Sequence, residues 1–215
     1  MSGLPAIAGG GNGEGLQGDK KVSGTMTEEG ERLSALERHV RRFWDGHIVE
    51  SASWDRGPVL ERVPHFSTFR VYPQRAGEAW VYVTVGSSVR GSAVGGIEFF
   101  VMSPVAADIH SETLAMVSHY HSFEAHRLDV GSVINIGRPW TPDSRMDHLL
   151  VSLPYPYGPE LERAPTEAGG ARFLWLLPIH KSEADFIKRE ALDVFESMLD
   201  AEGVNVLDPG RNPIA

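Results

Sequence analysis

Cysteine is absent from all 215 residues. That excludes disulfides, thiol nucleophiles and Cys-based zinc sites, and it suits the reducing cytoplasm in which the chain is expected to reside. Long apolar runs are also lacking. No stretch reaches the ~18 consecutive apolar residues of a membrane-spanning helix, so no membrane association is expected. No basic start followed by an apolar run marks a secretory signal. Positive charge is scarce: 20 Lys and Arg stand against 29 Asp and Glu, for a net charge of -9. A general nucleic-acid binder needs a basic face to displace counterions from phosphates, so no nucleic-acid partner is expected. The balance fits a soluble protein and would suit a basic partner.

Glycine is in surplus at the start. Gly3, Gly9, Gly10, Gly11, Gly13, Gly15, Gly18 and Gly24 fall within residues 1–26. Ordering so many glycines costs backbone entropy that the few apolar groups there cannot offset. We expect a disordered Gly-rich tail over 1–26 and one domain over 27–215.

Within that domain, Thr27 is placed to cap a first helix, with Glu28 and Glu29 at its positive end. Leu33, Leu36, Val40 and Phe43 give it one apolar stripe, and Gly46 marks its exit. Strands are expected at Phe66–Tyr72, Trp80–Val85 and Ile97–Met102, where aromatic and β-branched residues concentrate. A second helix is expected over Ala107–Phe123, then strands at Val130–Ile136, His148–Leu153 and Phe173–Ile179. Pro178 cannot donate to a ladder and should stand at a strand end or a bulge. A last helix should open at Ser182 and bury Ile187, Ala191, Val194, Phe195 and Met198, with Gly203 as its left-handed cap. Helices and strands mix without strict βαβ alternation. The pattern predicts an α+β fold, a mixed and mostly antiparallel sheet packed with helices. Trp80 and Trp175 are expected in its core.

The block Asp147-His148-Leu149-Leu150-Val151-Ser152-Leu153-Pro154-Tyr155-Pro156-Tyr157-Gly158-Pro159 resembles a characteristic stretch of the suppressor-of-fused (SUFU) family. Gly137-Arg138-Pro139-Trp140 precedes it, as in similar bacterial sequences. Phe173–Ile179 with Ser182, Glu183 and Phe186, and the helix end Val117-Ser118-His119-Tyr120-His121, are similar as well. The resemblance covers roughly residues 30–212. It implies a SUFU-like domain without known catalysis. Animal members bind transcription factors and hold them inactive, taking a peptide as an added strand between two lobes. Bacterial members are often interpreted as immunity proteins that neutralise toxins. The resemblance spans the first lobe, so what it implies for the contact is the end of the second helix and the next strand: His119, Tyr120 and Gly131-Ser132-Val133-Ile134. The animal family's acidic contact falls near Gly131, where no carboxylate stands; Asp129 is the nearest.

Other constellations carry groups capable of chemistry. His119, His121, His126, Asp129 and His148 are metal-ligating types, and a metal-assisted hydrolase is the enzymatic alternative. His119 and His121, two apart, would not share a helical face, and no His-Glu-x-x-His motif is present. Serines in Gly86-Ser87-Ser88 and Gly91-Ser92 lack the Gly-x-Ser-x-Gly elbow. The glycines of Gly86–Gly96 would let amides approach an anion, yet the segment lacks a Gly-Lys-Ser/Thr ending and reads better as a turn between strands. Trp140, with Arg138 and Asp143, is either an interface anchor or a lid on the core. Tyr155 and Tyr157, among Pro154, Pro156 and Pro159, form either a stiff docking loop or a rigid corner.

The expectation is therefore a non-enzymatic protein-binding domain with no cofactor, an immunity or inhibitory protein whose partner is another protein such as a toxin. An intracellular adaptor is the other alternative. The expected contact residues are His119, Tyr120, Gly131, Ser132, Val133, Arg138, Trp140, Tyr155 and Tyr157.

Overall fold

The computed structural model describes residues 27–54, 56–89 and 96–215. The expected 1–26 tail and residues 90–95 of the Gly86–Gly96 turn lie outside them. Helix α1 spans Glu28–Phe43, and the Thr27 hydroxyl accepts the Gly30 amide at 3.2 Å as its cap. Strand β1 (Val49–Ser53) and the short helix α2 (Val59–Arg62) lead into β2 (Ser67–Val71), β3 (Trp80–Val85) and β4 (Ile97–Ser103). Helix α3 (Ile109–His121) follows, then β5 (Val133–Asn135), β6 (His148–Ser152), the short helix α4 (Pro159–Glu162) and β7 (Arg172–Ile179). The described chain ends in α5 (Lys181–Arg189) and α6 (Leu192–Glu202).

The seven strands form one sheet in the order β1-β2-β3-β4-β7-β6-β5. Every neighbouring pair is antiparallel except β4 with β7. The expected α+β class and mixed, mostly antiparallel sheet are what the chain adopts.

Both faces of the sheet are covered, which is why its central strands are largely apolar on both sides, with Thr84 and Glu98 among the exceptions. Val81, Val83, Phe100, Phe173, Trp175 and Leu177 point to one side, against α1, α5 and α6. Tyr82, Phe99, Val101, Leu174, Leu176 and Val151 point to the other, against α2 and α3. Trp175 is buried as expected, whereas Trp80 is half-buried and lies 4.6 Å from the Tyr72 ring, centroid to centroid.

The expected last helix needs correction. The last helix is two: Glu190 and Ala191 are extended between α5 and α6, and His180 stands at the N-cap instead of Ser182. The break rotates the stripe. Phe195 and Leu199 enter the core, while Ala191 and Val194 are exposed and Met198 is only half-buried. Strand β1 was not anticipated, since its Val-Glu-Ser-Ala-Ser sequence lacks an apolar pattern.

Pro178 lies inside β7, one residue from its end. Its neighbour β4 pairs only with Arg172–Trp175, so the missing N–H falls where no ladder continues. There the chain's end takes over. The buried Arg211 guanidinium donates to the Pro178 carbonyl at 3.3 Å and to both Glu183 carboxylate oxygens at 2.6 and 2.7 Å.

Candidate functional site

An open strand edge is the feature that stands out at the β5 end of the sheet. Among the described residues β5 is terminal and pairs only with β6. The Ser132 carbonyl accepts the Val151 amide at 2.8 Å, and the Ile136 amide donates to the Asp147 carbonyl at 3.0 Å. Main-chain direction alternates along an antiparallel strand. Ser132, Ile134 and Ile136 therefore face β6, and Val133 and Asn135 turn their N–H and C=O groups outward. Val133 is half-buried and Asn135 exposed. The opposite edge, β1, is partly closed, because Arg41 donates to the Val49 carbonyl at 3.0 Å.

A tight turn feeds this edge. Ser132 donates its amide to the Asp129 carbonyl at 2.9 Å, and its hydroxyl accepts the Asp129 amide at 3.0 Å. Gly131 has φ +88°, and its amide donates to the Val151 carbonyl at 2.8 Å. Gly131 and Ser132 together face Val151, as in a β-bulge. The left-handed backbone explains why no carboxylate stands at 131: any side chain there is strained. Asp129 instead pairs with Arg172 at 3.4 Å.

The end of α3 leads directly into this turn, held by the Leu128 amide, which donates to His121 Nδ1 at 2.9 Å. Tyr120 is 40% exposed and stacks flat on His126 at 4.4 Å. His119 meets the Phe123 ring edge-on at 5.1 Å, and its Nδ1 is buried without a partner. Arg62 lies over Phe123 at 4.0 Å, a cation–π contact that anchors α2 to this end. Beside α3 runs a largely apolar groove of about 520 Å³, lined by Trp54, Val59, Ile109, Ala115, Met116 and His119, with Asp108 and Glu112 also in its wall. Met116 is 38% exposed there.

The expected contact residues thus separate. His119, Tyr120, Gly131, Ser132 and Val133 lie along one continuous stretch from the α3 end to β5. Arg138 does not join them: it donates to the Thr113 hydroxyl at 2.9 Å and the Ile109 carbonyl at 3.3 Å, tying its loop to the start of α3. Trp140 is only 2% exposed and packs 5.8 Å from the His110 ring. The anchor reading of Trp140 is corrected to the core reading, since a buried ring offers a partner no surface. Tyr157 is half-buried on the other sheet face, edge-on to Phe43 and Trp44 at 5.6 Å each. Burial pushes its pKa up to about 12, and the rigid-corner reading describes it. Tyr155 is 60% exposed and donates to Glu196 at 2.9 Å. Burial of its hydroxyl and the bond to Glu196 push its pKa up to about 12.

The metal alternative finds no assembled site. Among the described residues no group of three or more His, Asp or Glu side chains could hold an ion. His121 is engaged by Leu128, His126 by Tyr120, and His148 Nδ1 by Asp147 at 2.6 Å.

The anion-loop reading has an internal answer. The amides of Gly86, Ser87 and Ser88 donate at 3.1, 3.2 and 2.9 Å to the carboxylate of Glu98, which is fully buried. The hydroxyls of Thr84 and Ser88 add bonds of 2.5 and 2.6 Å. Only glycine fits at 86, where φ is +104° and a Cβ would meet the His65 carbonyl oxygen at 2.3 Å. Burial pushes the Glu98 pKa up, and the bonds from Ser88, Thr84 and Gly86 pull against it. The nest serves the chain's own anion.

Sequence reasoning missed Asn135, Met116 and Trp54. Asn135 and Met116 are spaced as edge and helix-surface positions, but only the strand order shows that β5 is terminal.

Comparison with known proteins gives a consistent assignment. The family model of the suppressor of fused protein (SUFU) matches residues 63–212. A protein described as a SUFU homolog from Neisseria gonorrhoeae is 36% identical, with a TM-score of 0.78 over 86% of this chain and 97% of that one. Drosophila Suppressor of Fused shares the fold at 15% identity and a TM-score of 0.62, covering 79% of this chain and 46% of that one. A chain of the Sufu–Fu complex does so at 14% identity and a TM-score of 0.58, covering 78% and 83%. No curated protein matches significantly.

Proposed function

This chain belongs to the suppressor-of-fused family, and we propose that it works by binding another protein, without catalysis, through the free edge of β5. The observation that carries this reading is the outward main chain of Val133 and Asn135 on a terminal strand. An extended partner segment can add there as an eighth strand, with main-chain bonds supplying affinity and neighbouring side chains supplying choice. Tyr120, His119 and the Met116 groove stand at the α3 end that leads into this edge. A large exposed aromatic and a soft, adaptable thioether suit such a contact. A relative of the same fold is found in a complex with Fu, which supports a protein partner here. The partner we favour is one that the chain holds inactive, such as a toxin, because an added strand blocks whatever the captured segment otherwise does.

The test is recovery of the tagged chain from its host, with mass spectrometry of whatever co-purifies at stoichiometric level. One protein with a toxin-like domain is the expected result. One protein without such a domain would point to an adaptor. Recovery with a small molecule turned over at enzymatic rates would overturn the binding reading.

A further inference from the structure

A second surface lies on the opposite face of the molecule. Helix α1 and the stretch from α4 to residue 167 border an open groove of about 1020 Å³. Its lining includes Arg38, Arg41 and Arg42 from α1 and Arg163 from beyond α4, with Phe43 also in the wall. All four arginines are exposed. The groove is fixed in width, because the His39 ring on α1 bonds the Leu161 carbonyl at 3.0 Å and packs 5.2 Å from Phe173.

The groove gathers four arginines on a chain whose net charge is -9. Carboxylates outnumber cations 29 to 20, so a surface arginine has more carboxylates than cations to meet. Arg41 finds one, Glu37, at 2.9 Å. Arg38, Arg42 and Arg163 have no ion pair among the described residues, although Glu160 and Glu167 line the same groove. Guanidinium groups take carboxylates in bidentate pairs. A polyanion with a phosphate at every step would run against Glu160 and Glu167. A peptide, whose charges are spaced by its sequence, would not.

We infer that the groove between α1 and residues 160–167 is a docking site for an acidic, extended segment of a protein partner, held by Arg38, Arg42 and Arg163. It is separate from the β5 edge and stands or falls independently of it.

The probe is a fluorescein-labelled peptide with a glutamate at every third position and glycine and serine between, titrated by anisotropy against the full chain at low salt. The same peptide with glutamine in place of each glutamate and a dT8 oligonucleotide serve as comparisons. The glutamate peptide is expected to bind and the glutamine peptide not to. The triple variant Arg38→Gln, Arg42→Gln, Arg163→Gln should bind the glutamate peptide about tenfold more weakly, at roughly twofold for each exposed pair. Its circular dichroism should match the parent, since all three side chains are exposed. Val133→Pro at the β5 edge should bind the glutamate peptide like the parent. Equal binding of the glutamate and glutamine peptides, unchanged binding by the triple variant, or tighter binding of dT8 would each overturn the inference.

Discussion

Removing the Arg211 guanidinium should unpin the end of the described chain and cost a large part of the protein's stability. Arg211 and Glu183 side chains are 5% and 0% exposed and meet through two bonds of 2.6 and 2.7 Å. Glu183 also accepts the His180 amide at 2.7 Å and the Ile214 amide at 3.2 Å, and the His180 ring bonds the Arg211 carbonyl at 3.0 Å. Arg211→Ala leaves a fully buried carboxylate with two amide donors and no countercharge. Breaking such a pair costs about 3–5 kcal/mol. For a chain of this size that corresponds to a fall in Tm of roughly 10 °C. The double variant Arg211→Met, Glu183→Met should recover only part of the loss, because it removes the desolvation cost of both charges but leaves the His180 and Ile214 amides without their acceptor. Urea and thermal unfolding followed by circular dichroism measure all three proteins. A single-variant loss below about 1 kcal/mol, the range of an exposed pair, would refute the reasoning.

Other predictions follow from buried and edge groups. Glu98→Gln keeps the shape but turns an amide donor toward the Gly86–Ser88 amides and the Thr84 hydroxyl; it should cost about 1–3 kcal/mol in urea unfolding. His110 is 1% exposed, and burial, with Arg138 and Arg70 nearby, lowers its pKa to about 4. The unfolded chain, with a histidine near ~6.5, then binds the proton first. The neutral ring's contribution is complete above ~6.5 and is lost as pH falls towards the folded value, by roughly 3 kcal/mol in all. His110→Phe should flatten the stability profile across that window. Ile134→Pro removes an amide facing β6 and should destabilise the sheet, whereas Val133→Pro removes only an outward amide. The second variant should unfold within about 1 kcal/mol of the parent and yet lose its partner in a pull-down.

Sequence reasoning reached most of the sheet because its strands are buried on both faces. Trp80–Val85, Ile97–Ser103 and Arg172–Ile179 are each rich in β-branched, aromatic and other apolar residues, which composition reads directly. Thr27 and Gly203 marked helix ends for the same local reason. What escaped was non-local. β1 is held by pairing with β2 and by the Arg41 bond to Val49, and shows no pattern of its own. The break at Glu190–Ala191 has neither proline nor glycine to announce it, and beyond it Phe195 and Leu199 enter the core. Trp140 between Pro139 and Thr141 gave no sign of its direction until His110 and the second core cluster were in place. The β5 edge was legible as a strand and through family resemblance, but its openness is a property of strand order.

The central claim is that a partner segment pairs with β5, and residue-resolved hydrogen exchange tests it most directly. In the free protein the Val133 and Asn135 amides should exchange fast and the Ile134 and Ile136 amides slowly. With the co-purified partner bound, Val133 and Asn135 should become protected to the level of Ile134. Protection confined to other surfaces, with Val133 and Asn135 still exchanging freely, would contradict the account.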